Sequence, residues 1–391
     1  MVLGIGHRIR ESPIRQPWPA AANRSRRNAC GEGGAGMTPE LKAKFTLKPS
    51  KKPLDLPQQF VSACFSPTGV FLLAGSMEGT VGRWNVLLEK PEPELAEKPA
   101  LTGLTSWVST CVCLPDGKLA AGADSFGNLA CWSYCDDGGE PVWKVANAHD
   151  GWIREVIVSP DGQKLATCGR DGRVVFWSTD GQLQAEIKVG GDLSVMRFAP
   201  DGKSLFVGSL EGKVSQWDVA SSAKVRDFDA GVLFKPDRLQ DVGGIRSMAV
   251  SPDGAMLLVG GTQPVNGGNV QGKPTALAFE VATGELKKKK EFGETGDVYV
   301  TDFEWHPDGC WLISTSGNPG QGKFLCWRVE DEQPLFETKL SNCHAVRPHP
   351  SGKWLALLTT NANSNGNGKV VDKDGQYRGN SSPLVVMTFP G

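Results

Sequence analysis

The chain has 391 residues, with 42 Lys and Arg, 43 Asp and Glu, and a formal net charge of −1 at pH 7. A nearly neutral chain has no overall attraction for nucleic acid or for an anionic membrane, so the charge argues against both as partners. Its ten cysteines include no C-x-x-C pair. We interpret them as small buried side chains in a reducing, cytoplasmic compartment rather than as disulfides or metal ligands.

Residues 1–36 differ in composition from the rest of the chain. They contain six arginines and two acidic residues, and no apolar block is long enough for a signal peptide or a membrane span. We interpret this stretch as an extension that is disordered or not translated, with Met37 as the true start. An organellar transit peptide is the alternative. Residues 37–391 are predicted to form one folded unit.

The segment Lys42–Leu47 (K-A-K-F-T-L) alternates polar and apolar residues. Alternation with a period of two is typical of a strand with one face buried and one face in solvent. This segment therefore predicts a half-exposed strand ahead of the first repeat.

From Phe60 onward, one unit recurs seven times. Its clearest copy, His149–Trp177, holds three short apolar runs separated by turns rich in Pro, Asp and Gly, as in a β-meander. One such unit cannot bury both of its faces, so the repetition determines the architecture. The Pro-x-Gly turn returns at intervals of 40 to 55 residues, and its prolines are Pro67, Pro115, Pro160, Pro200, Pro252, Pro307 and Pro350.

These phased repeats resemble those of the WD-repeat β-propeller family, in which each repeat of about 40 to 45 residues forms a four-stranded blade. Trp217-Asp218 is the single literal Trp-Asp pair. The resemblance implies an all-β fold with seven blades of four antiparallel strands. It also implies a buried hydrogen-bond relay in the third repeat, the family's structural tetrad, formed by His149, Thr167, Asp171 and Trp177. Other repeats depart from the tetrad, with Glu78 and Glu211 at the carboxylate position.

The last repeat stops at Leu384–Phe389, a third strand with no fourth strand after it. A ring with one strand missing at its end and one spare strand at its start closes when the two pair. We therefore predict that Lys42–Leu47 is the outer strand of the last blade, which would remove the open edges of the ring.

Four consecutive lysines, Lys287–Lys290, suggest a nucleic-acid contact at first sight. They fall on a predicted outer edge strand, where lysines discourage pairing with another chain, and we favour that structural interpretation.

Three connections between second and third strands are long and polar, in consecutive blades five, six and seven: Thr262–Pro274, Ser316–Lys323 and Thr360–Pro383. Long ordered loops on a rigid scaffold are frequent binding sites, but insertion without function remains an equal alternative.

The sequence offers little for catalysis. The H-x-x-x-H, H-E-x-x-H and G-x-S-x-G patterns are absent, and Gly317–Lys323 lacks the Ser or Thr and the helix that a phosphate loop requires. We therefore predict no catalytic residues, no metal and no cofactor.

The starts of the seven inner strands should surround the central opening of the ring. Several side chains there belong to the types that dominate interfaces. We predict a docking patch for a protein or peptide made of Trp107, Trp152, Arg154, Arg170, Arg246, Tyr299 and His344. The alternative is that both tryptophans fold over their blades as local packing.

The resulting prediction is a monomeric, non-catalytic interaction scaffold that uses the rim and central opening of a propeller. Its partner would be a protein or peptide of unknown identity rather than nucleic acid or a membrane. The alternative is a propeller enzyme of the hydrolase or redox type, with a site on the central axis.

Overall fold

The computed structural model describes residues 38–50, 53–56, 58–87, 93–236, 242–266, 271–317, 320–360, 369–371, 377–379 and 381–390. The predicted extension, residues 1–36, lies outside these ranges, as does most of the predicted loop Thr360–Pro383. Every statement about structure below refers to the described residues.

The N-terminal segment holds one short helix, α1 (Pro39–Lys44), and two short strands, β1 (Lys48–Pro49) and β2 (Leu54–Leu56). Blade 1 comprises β3 (Phe60–Phe65), β4 (Phe71–Ser76), β5 (Val81–Leu87) and β6 (Glu94–Leu101). Blade 2 comprises β7 (Val108–Cys113), β8 (Leu119–Asp124), β9 (Leu129–Ser133) and β10 (Trp143–Val145). Blade 3 comprises β11 (Ile153–Val158), β12 (Lys164–Gly169), β13 (Arg173–Ser178) and β14 (Leu183–Lys188).

Blade 4 comprises β15 (Leu193–Phe198), β16 (Ser204–Ser209), β17 (Val214–Asp218) and β18 (Lys224–Phe228). A 3₁₀ turn (Gly231–Leu233) and a small hairpin of β19 (Phe234–Lys235) and β20 (Val242–Gly243) lead into the next blade. Blade 5 comprises β21 (Ile245–Val250), β22 (Met256–Asn266), β23 (Gln271–Glu280) and β24 (Leu286–Glu291). Blade 6 comprises β25 (Tyr299–His306), β26 (Cys310–Ser316), β27 (Gly322–Trp327) and β28 (Phe336–Lys339). Blade 7 comprises β29 (Cys343–Pro348), β30 (Trp354–Thr359) and β33 (Ser382–Thr388), with the hairpin β31 (Lys369–Val371) and β32 (Tyr377–Gly379) before its third strand.

The blades form a closed ring. Within each blade the strands pair antiparallel in chain order, and each inner strand contacts the inner strand of the next blade. The inner strand of blade 7, β29, contacts β3 of blade 1 and completes the circle. The prediction of an all-β, seven-bladed propeller is confirmed.

The Pro-x-Gly turn recurs because each copy requires the same backbone geometry. Its glycine has a φ between 71° and 88° in all seven copies, a left-handed conformation in which a Cβ atom is unfavourable. In blade 3, the N–H of Gly162 donates to the carbonyl of Ser159 at 2.8 Å, and the hydroxyl of Ser159 donates to Asp161 at 2.5 Å. The turn joins the inner strand to the second strand and thereby sets the spacing of the repeats.

The ring closes through the N-terminal segment, as predicted, but not through the predicted residues. Lys48 pairs with Thr388 on β33, and Leu54 pairs with Leu384 on the same strand. The prediction that Lys42–Leu47 is the outer strand is wrong in its position, because α1 ends at Lys44 within that segment. The outer position of blade 7 is shared by β1 and β2.

The helix has a local cause that the strand interpretation overlooked. The side chain of Thr38 caps α1 by accepting from the N–H of Leu41 at 3.3 Å, and Pro39 occupies the first turn, where its missing N–H costs nothing. Glu40 in the first turn and Lys44 in the last turn complement the helix dipole. The alternating pattern of K-A-K-F-T-L is therefore the end of a capped helix followed by two buried apolar side chains.

Blade 5 has long strands where a loop was predicted. β22 and β23 continue pairing past the body of the blade, from Thr262 opposite Pro274 to Asn266 opposite Gln271. The prediction of a loop over Thr262–Pro274 is therefore wrong for most of that segment. The lysine run lies on β24, the outermost strand of the blade, as predicted, and Lys288 pairs with Glu332 of blade 6.

Phe45 connects the two ends of the ring. Its ring is fully buried and meets His306 edge-on at 4.9 Å and Phe389 at 6.3 Å between centroids. It thus joins the N-terminal segment to blade 6 and to the end of the chain.

Replacing Phe45 with Ala should lower the free energy of unfolding by about 3–5 kcal/mol, because it removes a buried aromatic ring and leaves a cavity. Urea denaturation followed by tryptophan fluorescence measures the change. Leu183→Ala on β14, where the side chain is 60 % exposed, is the control and should change stability by less than about 0.5 kcal/mol. Equal effects of the two substitutions would contradict this role for Phe45.

His306, which contacts Phe45, should make the free energy of unfolding depend on pH. Burial lowers the pKa of His306 to about 4, from an ordinary value of 6.5. The fold therefore favours neutral His306, and its contribution is complete above pH 6.5 and is lost as the pH falls toward 4. The unfolding free energy of the wild type should fall between pH 7 and pH 5 by about 2 kcal/mol more than that of His306→Gln. Equal losses in urea titrations at the two pH values would show that His306 does not titrate in this range.

Candidate functional site

Every inner strand carries a β-bulge near its start, at its third residue in blade 6 and at its second residue in the other six blades. The pairing with the second strand shifts by one residue at this point in all seven blades. Bulges redirect side chains and are frequent beside functional sites. The bulged residues are Val61, Ser109, Arg154, Ser194, Arg246, Thr301 and His344.

The bulged residues alternate in size for a structural reason. In blades 2, 4 and 6 each is a small hydroxyl residue whose Oγ donates to the first inner-strand carbonyl of the next blade. Ser109 donates to Ile153 at 2.5 Å, and Ser194 donates to Ile245 at 2.6 Å. Thr301 donates to Cys343 at 2.9 Å. Short side chains at these positions leave room for arginine or histidine in blades 3, 5 and 7.

A cavity of about 280 Å³ opens where the inner strands begin. We call it the mouth cavity. Residues from blades 1 to 5 line it: Val61, Met77, Trp107, Ser109, Trp152, Arg154, Ser194, Leu210 and Arg246. The structure thus brings together four of the seven residues of the predicted patch, namely Trp107, Trp152, Arg154 and Arg246.

The two tryptophans and Arg154 form one stacked group. The indole rings of Trp107 and Trp152 meet edge-to-face, with centroids 5.7 Å apart and an interplanar angle of 79°. The guanidinium carbon of Arg154 lies 4.0 Å from the centroid of Trp152, a cation–π contact. Two hydrogen bonds of 3.2 and 2.9 Å join Arg154 to the carboxylate of Asp192 in blade 4. Arg154 therefore fixes Trp152, whereas Trp107 remains 43 % exposed.

Arg246 is also stacked, but its charge is not paired. Its guanidinium carbon lies 4.8 Å from the centroid of Tyr299 in blade 6, and its side chain is exposed. Among the described residues, none forms an ion pair or a side-chain hydrogen bond with Arg246. The stack places an available cation at the edge of the mouth cavity.

Three residues of the predicted patch lie outside the lining of the mouth cavity. Tyr299 supports Arg246 from blade 6. Arg170 is exposed on the turn after β12, where its backbone N–H donates to the carbonyl of Trp152 at 2.9 Å. His344 is held by Thr360 at 2.6 Å, and burial lowers the pKa of His344 to about 4, so the ring is neutral at pH 7.

The sequence analysis missed one exposed aromatic beside the cavity. Phe126 is 64 % exposed on the turn after β8, and the N–H of its neighbour Ser125 donates to the carbonyl of Trp107 at 3.0 Å. We call Trp107 and Phe126 the aromatic shelf. A signal was present in the sequence, because Ser125-Phe126-Gly127 aligns with Arg170-Asp171-Gly172 and places a large apolar side chain in the carboxylate position of the tetrad.

The structure places the four tetrad residues of blade 3 in one hydrogen-bonded relay. His149 Nδ1 lies 2.9 Å from Asp171, and His149 Nε2 lies 2.7 Å from the hydroxyl of Thr167. The indole N–H of Trp177 donates to the same hydroxyl at 2.9 Å. Burial lowers the pKa of His149, against the opposing effect of Asp171. With neutral His149, Trp177 donates to Thr167, Thr167 to His149 and His149 to the carboxylate of Asp171.

Deeper in the ring, two charged clamps join neighbouring blades. Glu155 of blade 3 accepts from the backbone N–H of Met196 at 2.5 Å and from the guanidinium of Arg197 in blade 4. Asp302 of blade 6 makes the corresponding pair with Val346, at 2.9 Å, and with Arg347 in blade 7. Each clamp thus holds one blade to the next blade of the ring.

Glu304 is a third carboxylate beside the clamps, and its contact with an arginine is longer than those of Glu155 and Asp302. It lies 3.3 Å from Arg347, which already binds Asp302. Burial raises the pKa of Glu304, whereas Arg347 opposes this change.

The chain matches the family model "WD domain, G-beta repeat" in three segments, residues 54–85, 139–178 and 286–320. These segments lie mainly on blades 1, 3 and 6, and each also includes an outer strand of the preceding blade, namely β2, β10 and β24. Three repeats of this propeller therefore match WD repeats. The prediction drawn from the repeat pattern is confirmed.

Part of this sequence is similar to several other proteins. Small ribosomal subunit protein RACK1y of Oryza sativa subsp. japonica is 29 % identical over 41 % of this chain and 46 % of its own length. Protein LST8 homolog of Drosophila melanogaster is 32 % identical over 30 % of this chain and 37 % of its own length. Guanine nucleotide-binding protein subunit beta-1 of Nicotiana tabacum is 26 % identical over 53 % of this chain and 56 % of its own length. The matches thus span about half or less of each relative.

No helix in the described ranges is long and apolar enough to cross a membrane. In the same part of the chain, no group of three or more His, Cys, Asp or Glu side chains is placed to hold a metal ion.

Replacing Thr167 with Val tests the relay with little change of shape. The substitution leaves Trp177 Nε1 and His149 Nε2 buried without their shared partner, so the free energy of unfolding should fall by about 2–4 kcal/mol. Urea denaturation measures the fall. Thr283→Val on the exposed turn before β24 is the matched control and should cost less than about 1 kcal/mol. Similar losses from both substitutions would contradict the relay's contribution to stability.

Proposed function

We propose that this WD-repeat propeller is a non-catalytic platform that binds a protein or peptide at its mouth cavity. The observation that carries the proposal is the aromatic shelf beside that cavity. Trp107 and Phe126 are 43 % and 64 % exposed, and Arg246, which has no charged partner among the described residues, lines the same cavity. Exposed aromatic and arginine side chains are the types that contribute most binding energy at protein interfaces.

The rigidity of the site supports binding by a preformed surface. The backbone bulges, the hydroxyl bonds between blades and the Arg154–Asp192 pair hold the mouth cavity in one arrangement. A surface that is ordered before binding loses little conformational entropy when a partner arrives. Such a surface suits recognition of a flexible peptide, whose own ordering is the main entropic cost.

Two relatives support a role in an assembly through their names. RACK1y is named as a protein of the small ribosomal subunit, and the tobacco relative is named as a subunit of a guanine nucleotide-binding protein. We propose that this chain likewise acts by binding other proteins, although through a partner of its own.

The alternative, a propeller enzyme with an axial site, would depend on Glu304. The side chain of Glu304 is 38 % exposed, and a carboxylate with a raised pKa is typical of a general acid. We favour the platform because Glu155 and Asp302, the two carboxylates of the clamps, are bound to backbone N–H groups and arginines of the next blade.

Replacing Trp107 with Ala should weaken capture of the partner by about thirtyfold or more, because an exposed tryptophan at a binding centre contributes about 2 kcal/mol or more. The measurement is affinity capture from cell extract with quantitative mass spectrometry, followed by titration of the identified partner. Phe126→Ala should act in the same direction. Val142→Ala, which removes an exposed apolar side chain from the outer side of blade 2, should leave capture unchanged.

The platform would be contradicted if no captured protein responded to Trp107→Ala and Phe126→Ala while both variants kept the wild-type melting temperature. A metabolite that stabilised the wild type but not Glu304→Gln would favour the enzyme instead.

A further inference from the structure

The side chains that line the mouth cavity offer donors and positive charge but no carboxylate. Two of its residues, Ser109 and Ser194, already donate their hydroxyl protons to carbonyls of the next blade. Two others, Arg154 and Arg246, are cations, and Asp192, which neutralises Arg154, is not part of the lining. A cavity of this composition attracts a group that accepts hydrogen bonds and carries negative charge.

Arg246 is the cation left for such a group. It forms no ion pair within the described ranges, and the contact of its guanidinium carbon with the ring of Tyr299, at 4.8 Å, restrains the side chain. A fixed guanidinium binds a carboxylate through two parallel hydrogen bonds with little loss of side-chain entropy. Arg246 is therefore a preorganised site for one carboxylate.

Trp152 supplies a second, independent observation. Its indole Nε1 is buried and has no hydrogen-bond partner among the described residues. Buried polar groups are nearly always hydrogen-bonded, so an unpaired indole N–H in a residue that lines a cavity points to an acceptor brought by a ligand. Both unused donors, in blades 3 and 5, belong to the lining of the same cavity.

The size of the cavity limits what it can hold. About 280 Å³ accommodates one or two side chains and falls just below the range of roughly 300–1,000 Å³ for sites that enclose a small-molecule ligand or cofactor. The aromatic shelf beside it offers apolar surface outside the cavity. A peptide segment uses both features if an acidic residue enters the cavity and a neighbouring apolar residue lies on the shelf.

We propose that the mouth cavity recognises an acidic peptide segment, in which the carboxylate of an Asp or Glu binds Arg246 and an adjacent aromatic or aliphatic residue packs on Trp107 and Phe126. This inference rests on the proposed function and names the chemistry of its partner. Arg154 acts as a positioning residue, because its charge is bound to Asp192 and its face holds Trp152.

The test uses the full chain and two fluorescein-labelled nonapeptide libraries that share a central aromatic residue and differ by Glu or Gln at the next position. The wild type should bind the Glu library about tenfold or more tightly than the Gln library in fluorescence anisotropy, and added salt should reduce the difference. Arg246→Gln should abolish the preference. Lys289→Gln, which removes one exposed positive charge from the outer strand of the same blade, should retain it.

Equal binding of the two libraries by the wild type, or equal effects of Arg246→Gln and Lys289→Gln, would overturn the proposal. Selective binding of a matched phosphoserine library without any preference for Glu would also overturn it. If Trp107→Ala still abolished partner capture in those cases, the platform would stand and only the acidic recognition would fail. If Trp107→Ala did not change partner capture and Arg246→Gln did not change peptide binding, both proposals would fail.

Discussion

Seven inner strands must fit side by side around one axis, and the rest of the molecule depends on how this crowding is resolved. Each strand bulges at its second or, in blade 6, its third residue, which turns that side chain toward its neighbours at the opening. Small hydroxyl residues in blades 2, 4 and 6 bind the next blade directly. The larger residues, Arg154, Arg246 and His344, occupy the space that remains. Packing at the axis thus decides which side chains reach the mouth cavity.

The ring is stabilised by strand pairing and apolar burial at its outer edge and by charged hydrogen bonds between blades nearer the axis. At the outer edge, β1 and β2 pair with β33, and Phe45 is buried between blade 6 and the chain end. Near the axis, the clamps of Glu155 with Arg197 and of Asp302 with Arg347 connect neighbouring blades through charged hydrogen bonds. Buried pairs of this kind contribute specificity of arrangement more reliably than stability. Apolar burial therefore provides most of the stability, whereas the clamps fix the relative position of the blades.

The sequence was sufficient to predict what each repeat specifies locally. The Pro-x-Gly turns, whose glycines require positive φ, gave the number and phase of the blades. Features that join distant segments were less predictable: the clamp of Asp302 with Arg347 connects neighbouring blades, and nothing in either repeat alone indicates it. Lys42–Leu47 was misassigned because its alternation outweighed the capping signals of Thr38 and Pro39. Phe126 was overlooked because it lies on the turn after β8, and Arg170 beside Trp152 was the single turn residue in the predicted patch.

The departures from the repeat pattern account for the candidate site better than the pattern itself. In blade 3 the full tetrad uses His149 and Asp171 to stabilise the blade. Blade 4 has no such histidine, and Glu211 instead accepts from the backbone N–H of Asp192 at 3.0 Å. Asp192 is thereby placed to bind Arg154, which in turn holds Trp152 against Trp107. A regular tetrad would not need an acidic residue at position 192. The departure of blade 4 from the tetrad therefore orders the tryptophan pair of blades 2 and 3, through Asp192 and Arg154.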